Sequence, residues 1–211
     1  MTVETPASPR PLDKARRWVR QQLSDRTVFF AGFLDNPGMV GAVAPTSPQT
    51  IAAMLAPVRW EDCRVFVEYG PGVGTFTRPV LDRLGPGARL VAIDTSARYV
   101  AHLRATIDDP RLVTVQGSAA EVEAILAGQG LDRADYVLSG LPFATLPPGV
   151  GEDIAAATHR VLREGGAFLA YQFALAVHRA MARHFTRIDR AVCWRNLPPY
   201  RLFWGWKEAE G

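Results

Sequence analysis

Cysteine is nearly absent from this chain. Its 211 residues hold two, Cys63 and Cys193, each in an apolar, strand-like context and without a metal or redox spacing. That excludes a disulfide scaffold or a cysteine metal centre as the organising feature. Both are expected to be small buried hydrophobes of a reducing compartment, and no metal site is expected. Long apolar runs are missing too. The longest, AFLAYQFALAV at 167–177, has 11 residues, where a bilayer-spanning helix needs about 20. The opening MTVETPASPRP is acidic and proline-rich, unlike a secretory leader. There is no internal repeat and no low-complexity tract. A hydrophobic content of 48% with 21% charge is that of a folded chain, and the length fits one domain, soluble or peripheral to a membrane.

Net charge is only +3, but it is unevenly spread. Residues 1–30 carry six Lys/Arg against three Asp/Glu, residues 61–153 eight against thirteen, and residues 159–207 nine against two. A slightly acidic middle between two basic ends implies an anionic partner held by the ends.

From about residue 60, short β-rich runs alternate with helical patterns. RVFVEYG (64–70), RLVAID (89–94), RLVTVQ (111–116), DYVLSG (135–140) and GAFLAYQF (166–173) are separated by helical stretches at 74–83, 96–107, 118–127 and 152–163. This order predicts βαβ units and a parallel sheet covered on both faces. Gly85-Pro86-Gly87 and Gly165-Gly166 are turn signals before the second and fifth strands. After a helix at about 174–184, RIDRAVCWR (187–195) and YRLFWGWK (200–207) are joined by NLPP alone, which predicts an antiparallel hairpin at the sheet edge. The whole is a seven-stranded, mostly parallel, Rossmann-like α/β sheet.

The first sixty residues differ. In PRPLDKARRWVRQQL (9–23), helical spacing puts Leu12, Ala15, Trp18, Val19 and Leu23 on one arc and Lys14, Arg16, Arg17 and Arg20 on the other side. Residues 9–20 carry a net +4, worth at most roughly 4 kcal/mol near an anionic membrane at about 1 kcal/mol per basic residue. Such binding is weak and reversible. Packing of the apolar arc on the domain as a lid is the other reading, and both can hold in turn. A second helix is predicted at 48–56, with Ser47 as N-cap and Pro48 at its first position.

The first strand runs into GPGVGTF (70–76), whose Gly70, Gly72 and Gly74 allow a sharp turn and a close ligand approach. Asp94 ends the next strand twenty residues beyond Gly74, where an acid accepts both hydroxyls of a ribose. Glu68 adds an acid beside the loop, which is unwelcome near a pyrophosphate and favourable near a cation. The loop therefore suits S-adenosylmethionine, with its sulfonium and ammonium, better than a dinucleotide. Ser118 ends the third unit, either beside an adenine or as N-cap of the next helix with Glu121 completing a capping box. The fourth strand ends in SGLPF (139–143), a turn able to grip an amino group.

These features together resemble a class I methyltransferase that uses S-adenosylmethionine. FFAGFLDNPGMVGAVAPTS, EYGPGVGTFT and SGLP are similar to the bacterial phospholipid N-methyltransferases, from about residue 27 onward. The resemblance implies stepwise methylation of phosphatidylethanolamine towards phosphatidylcholine, with S-adenosylhomocysteine as the other product. It divides the chain into a basic amphipathic segment (1–26) that binds a membrane or acts as a lid, and a methyltransferase domain (27–211). Glu68, Tyr69, Gly70, Gly72, Gly74, Thr75, Asp94, Thr95, Gly117, Ser118, Ala119 and Ser139 are then expected around the cofactor, under the loop at 40–47. Ser139, Gly140 and Tyr171 would orient the amine. Leu141, Pro142 and Phe143 would wall the head-group pocket, with Arg195 and Arg201 on the phosphate. Lys14, Arg16, Arg17, Trp18 and Arg20 would meet an anionic membrane, placing a monomeric enzyme on the inner face of the cell membrane. The implied tail after the fifth strand is richer in glycine and proline than the Tyr171-Gln172-Phe173 found here.

Two other acceptors remain open. One is a different aminolipid, such as an ornithine lipid. The other is an adenine of RNA or DNA, since adenine N6-methyltransferases carry Asn-Leu-Pro-aromatic at this strand end. Ser139 is a weaker acceptor than Asn and Gly140 shifts the offset. Only EAEG follows the last strand, so no appended nucleic-acid domain is expected there, and no nucleic-acid partner.

Overall fold

A computed structural model describes residues 46–194 and 199–209. The amphipathic segment with Lys14, Arg16, Arg17, Trp18 and Arg20, the loop at 40–45, and Arg195 lie outside the described residues. Strands β1 (Val65–Tyr69), β2 (Arg89–Asp94), β3 (Leu112–Gln116), β4 (Ala134–Ser139) and β5 (Leu162–Gln172) are parallel. Strand β7 (Tyr200–Trp206) runs antiparallel between β5 and β6 (Arg187–Cys193). The order β3-β2-β1-β4-β5-β7-β6 is the seven-stranded, Rossmann-like sheet expected from the sequence, antiparallel hairpin included.

Successive strand residues point to opposite faces, so a sheet covered on both sides needs apolar residues at every position. Strand β4 is buried throughout, with Asp135 and Ser139 near its two ends as the polar exceptions. On one face Val67, Tyr69, Val137 and Phe168 pack with α4 (Val122–Gly128), α5 (Val150–Val161) and α6 (Ala176–Met181). On the other, Phe66, Tyr136, Leu138 and Leu169 pack with α1 (Pro48–Leu55) and α2 (Thr77–Leu81). Helix α3 (Ala97–Thr106) links β2 to β3. Helix α1 starts as expected, the Ser47 side chain accepting the Thr50 N–H at 3.2 Å and Pro48 opening the first turn. It is tied to the sheet by Trp204 Nε1, which donates to the Met54 carbonyl at 3.0 Å.

Three local expectations need correction. Gly165-Gly166 is not a turn before the fifth strand. Helix α5 ends directly in β5 at Leu162, and the glycines form an irregularity within that strand. Gly166 lies so close to β4 that a side chain there would stand 2.7 Å from the Asp135 carbonyl. The stretch 118–127 opens as a 3₁₀ turn (Ala119–Glu121) before α4. Cys63 is buried, with its thiol pushed up to about 12 chiefly by that burial. Cys193 is only half-buried, because it ends an edge strand, and its Sγ takes a hydrogen bond from Thr50 Oγ1 at 3.0 Å.

Asp135 clamps the amino end of the sheet. Its Oδ2 accepts the N–H groups of Arg64 and Val65, both at 2.7 Å, and its Oδ1 pairs with the Arg163 guanidinium. One buried carboxylate thus joins the starts of β1, β4 and β5. Asp135→Ala leaves two N–H groups and a guanidinium without that acceptor. It is expected to cost about 3 kcal/mol, read as a lower urea midpoint with an unchanged slope.

Candidate active site at the carboxyl ends of the strands

Strand order reverses between β1 and β4, and in such sheets ligands bind in the crevice beyond the carboxyl ends at the reversal. The glycine loop follows β1 and the SGLPF turn follows β4, so the topology brings the two motifs together. Gly70 N–H donates to the Ile93 carbonyl and Gly140 N–H to the Tyr69 carbonyl, both at 2.9 Å, which laces β2, β1 and β4 just where they open. Gly70 has φ +63°, and a side chain on it would stand 2.9 Å from Leu141 Cδ2. Gly72 also has a positive φ (+55°), but nothing lies within 4 Å of its missing Cβ, leaving the backbone open to a ligand.

Two buried carboxylates flank the loop. Asp94 accepts the Gly72 N–H at 3.3 Å and the Ser96 N–H at 2.9 Å. Burial pushes its pKa above the usual carboxylate value, against the pull of those two bonds. Glu68, 3% exposed, accepts a 2.6 Å hydrogen bond from Thr77 Oγ1. Burial raises its pKa to about 7, opposed by the Thr77 bond and reinforced by Asp94. A loop whose amide already serves Asp94, with a second acid beneath it, presents negative charge. It fits a cationic ligand and repels a pyrophosphate.

At the end of β3, Ser118 Oγ accepts the Ala120 N–H at 3.2 Å while Glu121 accepts the Ser118 N–H at 3.3 Å, so the capping arrangement forms. Gly117 N–H donates to the Asp94 carbonyl at 3.1 Å, placing this turn beside the acid. Thr75 is half-buried and Thr95 exposed near the same crevice. Two residues expected around the cofactor keep their side chains in the core. The Tyr69 side chain is fully buried with its hydroxyl 3.2 Å from Thr158 Oγ1, and Ala119 packs in the same core, so neither side chain is open to a ligand.

The acceptor side is also rearranged. Ser139 has no exposed surface, and its Oγ accepts the Leu141 N–H at 3.2 Å, so it braces the turn instead of reaching an amine or the cofactor. Phe143 is turned into the core, its ring centroid 6.4 Å from that of Phe168, and is not a pocket wall. Leu141 and Pro142 stay partly exposed. Gly140 faces Tyr171: a side chain at 140 would meet the Tyr171 hydroxyl at 2.8 Å. Burial, then the charges of Tyr200 and Glu68, holds that hydroxyl above the usual tyrosine range, so it stays protonated. Its ring lies 4.7 Å from Phe76. Arg201 is exposed at the rim, with Nε donating to the Phe173 carbonyl at 3.3 Å.

Sequence reasoning passed over Thr77, Phe76 and Gln172. Gln172 Nε2 donates to the Leu141 carbonyl at 2.5 Å, joining β5 to the turn. Its signal was a polar residue at an inward position of an otherwise apolar strand.

A family model described as a methyltransferase domain matches residues 66–166. The ornithine lipid N-methyltransferase of Singulisphaera acidiphila is 27% identical over 179 residues, covering 84% of this chain and 93% of that protein. The ribosomal RNA small subunit methyltransferase H of Halorhodospira halophila is 41% identical, but over 75 residues, 35% of this chain and 22% of that protein. Among solved structures, the N-methyltransferase NodS of Bradyrhizobium japonicum in complex with S-adenosylhomocysteine has a TM-score of 0.62 at 13% identity, covering 76% of this chain and 85% of that one.

The Glu68 titration is measurable. Its folded pKa, about 7, lies above its ordinary value of 4.5, so the ligand-free protein should lose stability as pH rises from about 4.5 through about 7. A ligand ammonium favours the ionised form. Affinity for S-adenosylhomocysteine should therefore rise several-fold between about pH 6 and pH 8, with Glu68→Gln abolishing the rise, by titration calorimetry.

Proposed function

We propose that this chain, which carries a methyltransferase domain match and resembles an N-methyltransferase over most of its length, uses S-adenosylmethionine to methylate the amino head group of a membrane lipid. Phosphatidylethanolamine or an ornithine lipid is the acceptor. The supporting observation is the extent of similarity to the ornithine lipid enzyme. It spans 84% of the chain, so it takes in the acceptor side as well as the cofactor half. The ribosomal RNA methyltransferases it resembles match between 35% and 47% of the chain. The rim adds support. Trp194 is 78% exposed beyond the end of β6, and Val192 pairs in register with Arg201. Apolar and basic groups at the mouth of the site suit a lipid interface. Among the described residues, no helix is long and apolar enough to cross a membrane. The proposed enzyme is a monomer that visits the inner face of the cell membrane, its basic N-terminal segment meeting anionic lipid.

When bound, S-adenosylmethionine supplies a methyl group on a sulfonium that leaves as a neutral thioether. The protein's part is holding and drying. Glu68 would hold the cofactor ammonium, Asp94 the ribose, and the Ser118 turn the adenine. An alkylamine with a pKa of about 10 attacks only after losing a proton, and the apolar surroundings of Leu141, Pro142 and Phe76 favour its neutral form. Tyr171 cannot take that proton, because its hydroxyl is already protonated. The proton goes to water before capture, and positioning supplies the rate.

Purified protein and a labelled methyl donor should transfer label to phosphatidylethanolamine or ornithine lipid in anionic vesicles and leave RNA unlabelled. Label in RNA with none in either lipid overturns the proposal.

A further inference from the structure

We propose that Gln172 is the residue that orients the acceptor amine, its Oε1 receiving an N–H of the substrate; this rests on the amine-acceptor reading above. Gln172 ends β5 and is 7% exposed. Its Nε2 is committed to the Leu141 carbonyl at 2.5 Å, while Oε1, equally buried, has no hydrogen-bond partner. The orientation of the amide is fixed by that bond, since the opposite one would set two oxygens against each other. A buried carbonyl oxygen left without a donor costs free energy on the order of 1–3 kcal/mol, and such an atom in a native fold calls for a partner.

On the amine-acceptor reading, the donor it lacks is an N–H of the substrate. Leu141, which Gln172 holds, touches the glycine loop, since a side chain on Gly70 would meet Leu141 Cδ2. Gln172 therefore reaches the turn at the point where it borders the cofactor loop. Of the other groups assigned to the amine, the Ser139 hydroxyl oxygen already accepts the Leu141 N–H inside its own turn. Gln172 adds a buried carbonyl oxygen that has no donor of its own. It also pairs directly with Arg201 on β7, and cross-strand neighbours share a face. An acceptor for N–H and a guanidinium for an anion stand side by side, matching head groups that carry an amine near a phosphate or carboxylate.

The geometry makes a prediction that a structural brace does not. A neutral primary amine has two N–H groups, a monomethylated one has one, and a dimethylated one has none. Gln172→Met, near in size but without the amide, should lower kcat/KM for the primary amine about tenfold and spare the dimethylated amine. S-adenosylhomocysteine affinity should stay within about twofold of wild type. The comparison uses the full chain on phosphatidylethanolamine, its mono- and dimethyl forms, ornithine lipid and RNA. It is scored on whichever amine the wild type methylates, primary against the most methylated form accepted. Label in RNA alone would overturn the lipid reading and still score Gln172. An equal loss on every amine, or a parallel loss of S-adenosylhomocysteine affinity, overturns the role of Gln172. No transfer by wild type to any of these amines overturns both. Gln172→Leu carries the same comparison should Gln172→Met not fold.

Discussion

The contact between two backbones at the strand-order reversal is the constraint on which the site depends. Gly70 and Gly140 follow neighbouring strands, and a side chain on Gly140 would stand 3.0 Å from the Gly70 carbonyl. Neither position has room for one. Because the glycine loop and the SGLPF turn are pressed together, the proposed donor and acceptor would meet in a narrow space between them. The side chains assigned to them enter from outside this seam: Glu68 and Asp94 from the strand ends on one side, Tyr171 and Gln172 from β5 on the other.

Electrostatics then select the ligand. Two buried acids sit at the carboxyl end of the sheet and, among the described residues, no cation pairs with either, whereas Asp135 at the opposite end is paired with Arg163 and two backbone N–H groups. The contrast separates function from architecture. An acid whose hydrogen bonds and ion pair are complete holds strands together, and one whose charge is left uncompensated awaits a ligand that supplies the countercharge.

Much of the cofactor half was readable in the sequence, because its signals are backbone signals: glycines at set offsets, an acid closing the second strand, a cap at Ser118. Acceptor-side predictions fared worse for a physical reason. Whether Ser139 and Phe143 face a pocket or the core depends on how tightly the turn folds on itself, and composition does not record that. Ser139 turns its hydroxyl back to Leu141, and Phe143 fills the space beside Gly151, where an added Cβ would lie 3.1 Å from its ring. Gln172 escaped notice because a lone polar residue in YQF reads as noise until its two amide ends are seen to differ. The Gly165-Gly166 pair misled in another way, since a glycine required for close packing of strands looks the same in sequence as one required for a turn.

The insertion of β7 between β5 and β6 carries a consequence for how this enzyme can diverge. Gln172, Arg201 and Val192 are 29 and 9 positions apart along the chain yet form one row across three strands. None of them lies within residues 65–118, which hold the donor-binding loop and acids. If this row meets the proposed acceptor, exchange of the closing hairpin between relatives would replace Arg201 and Val192 while leaving Gln172 and the glycine loop in place.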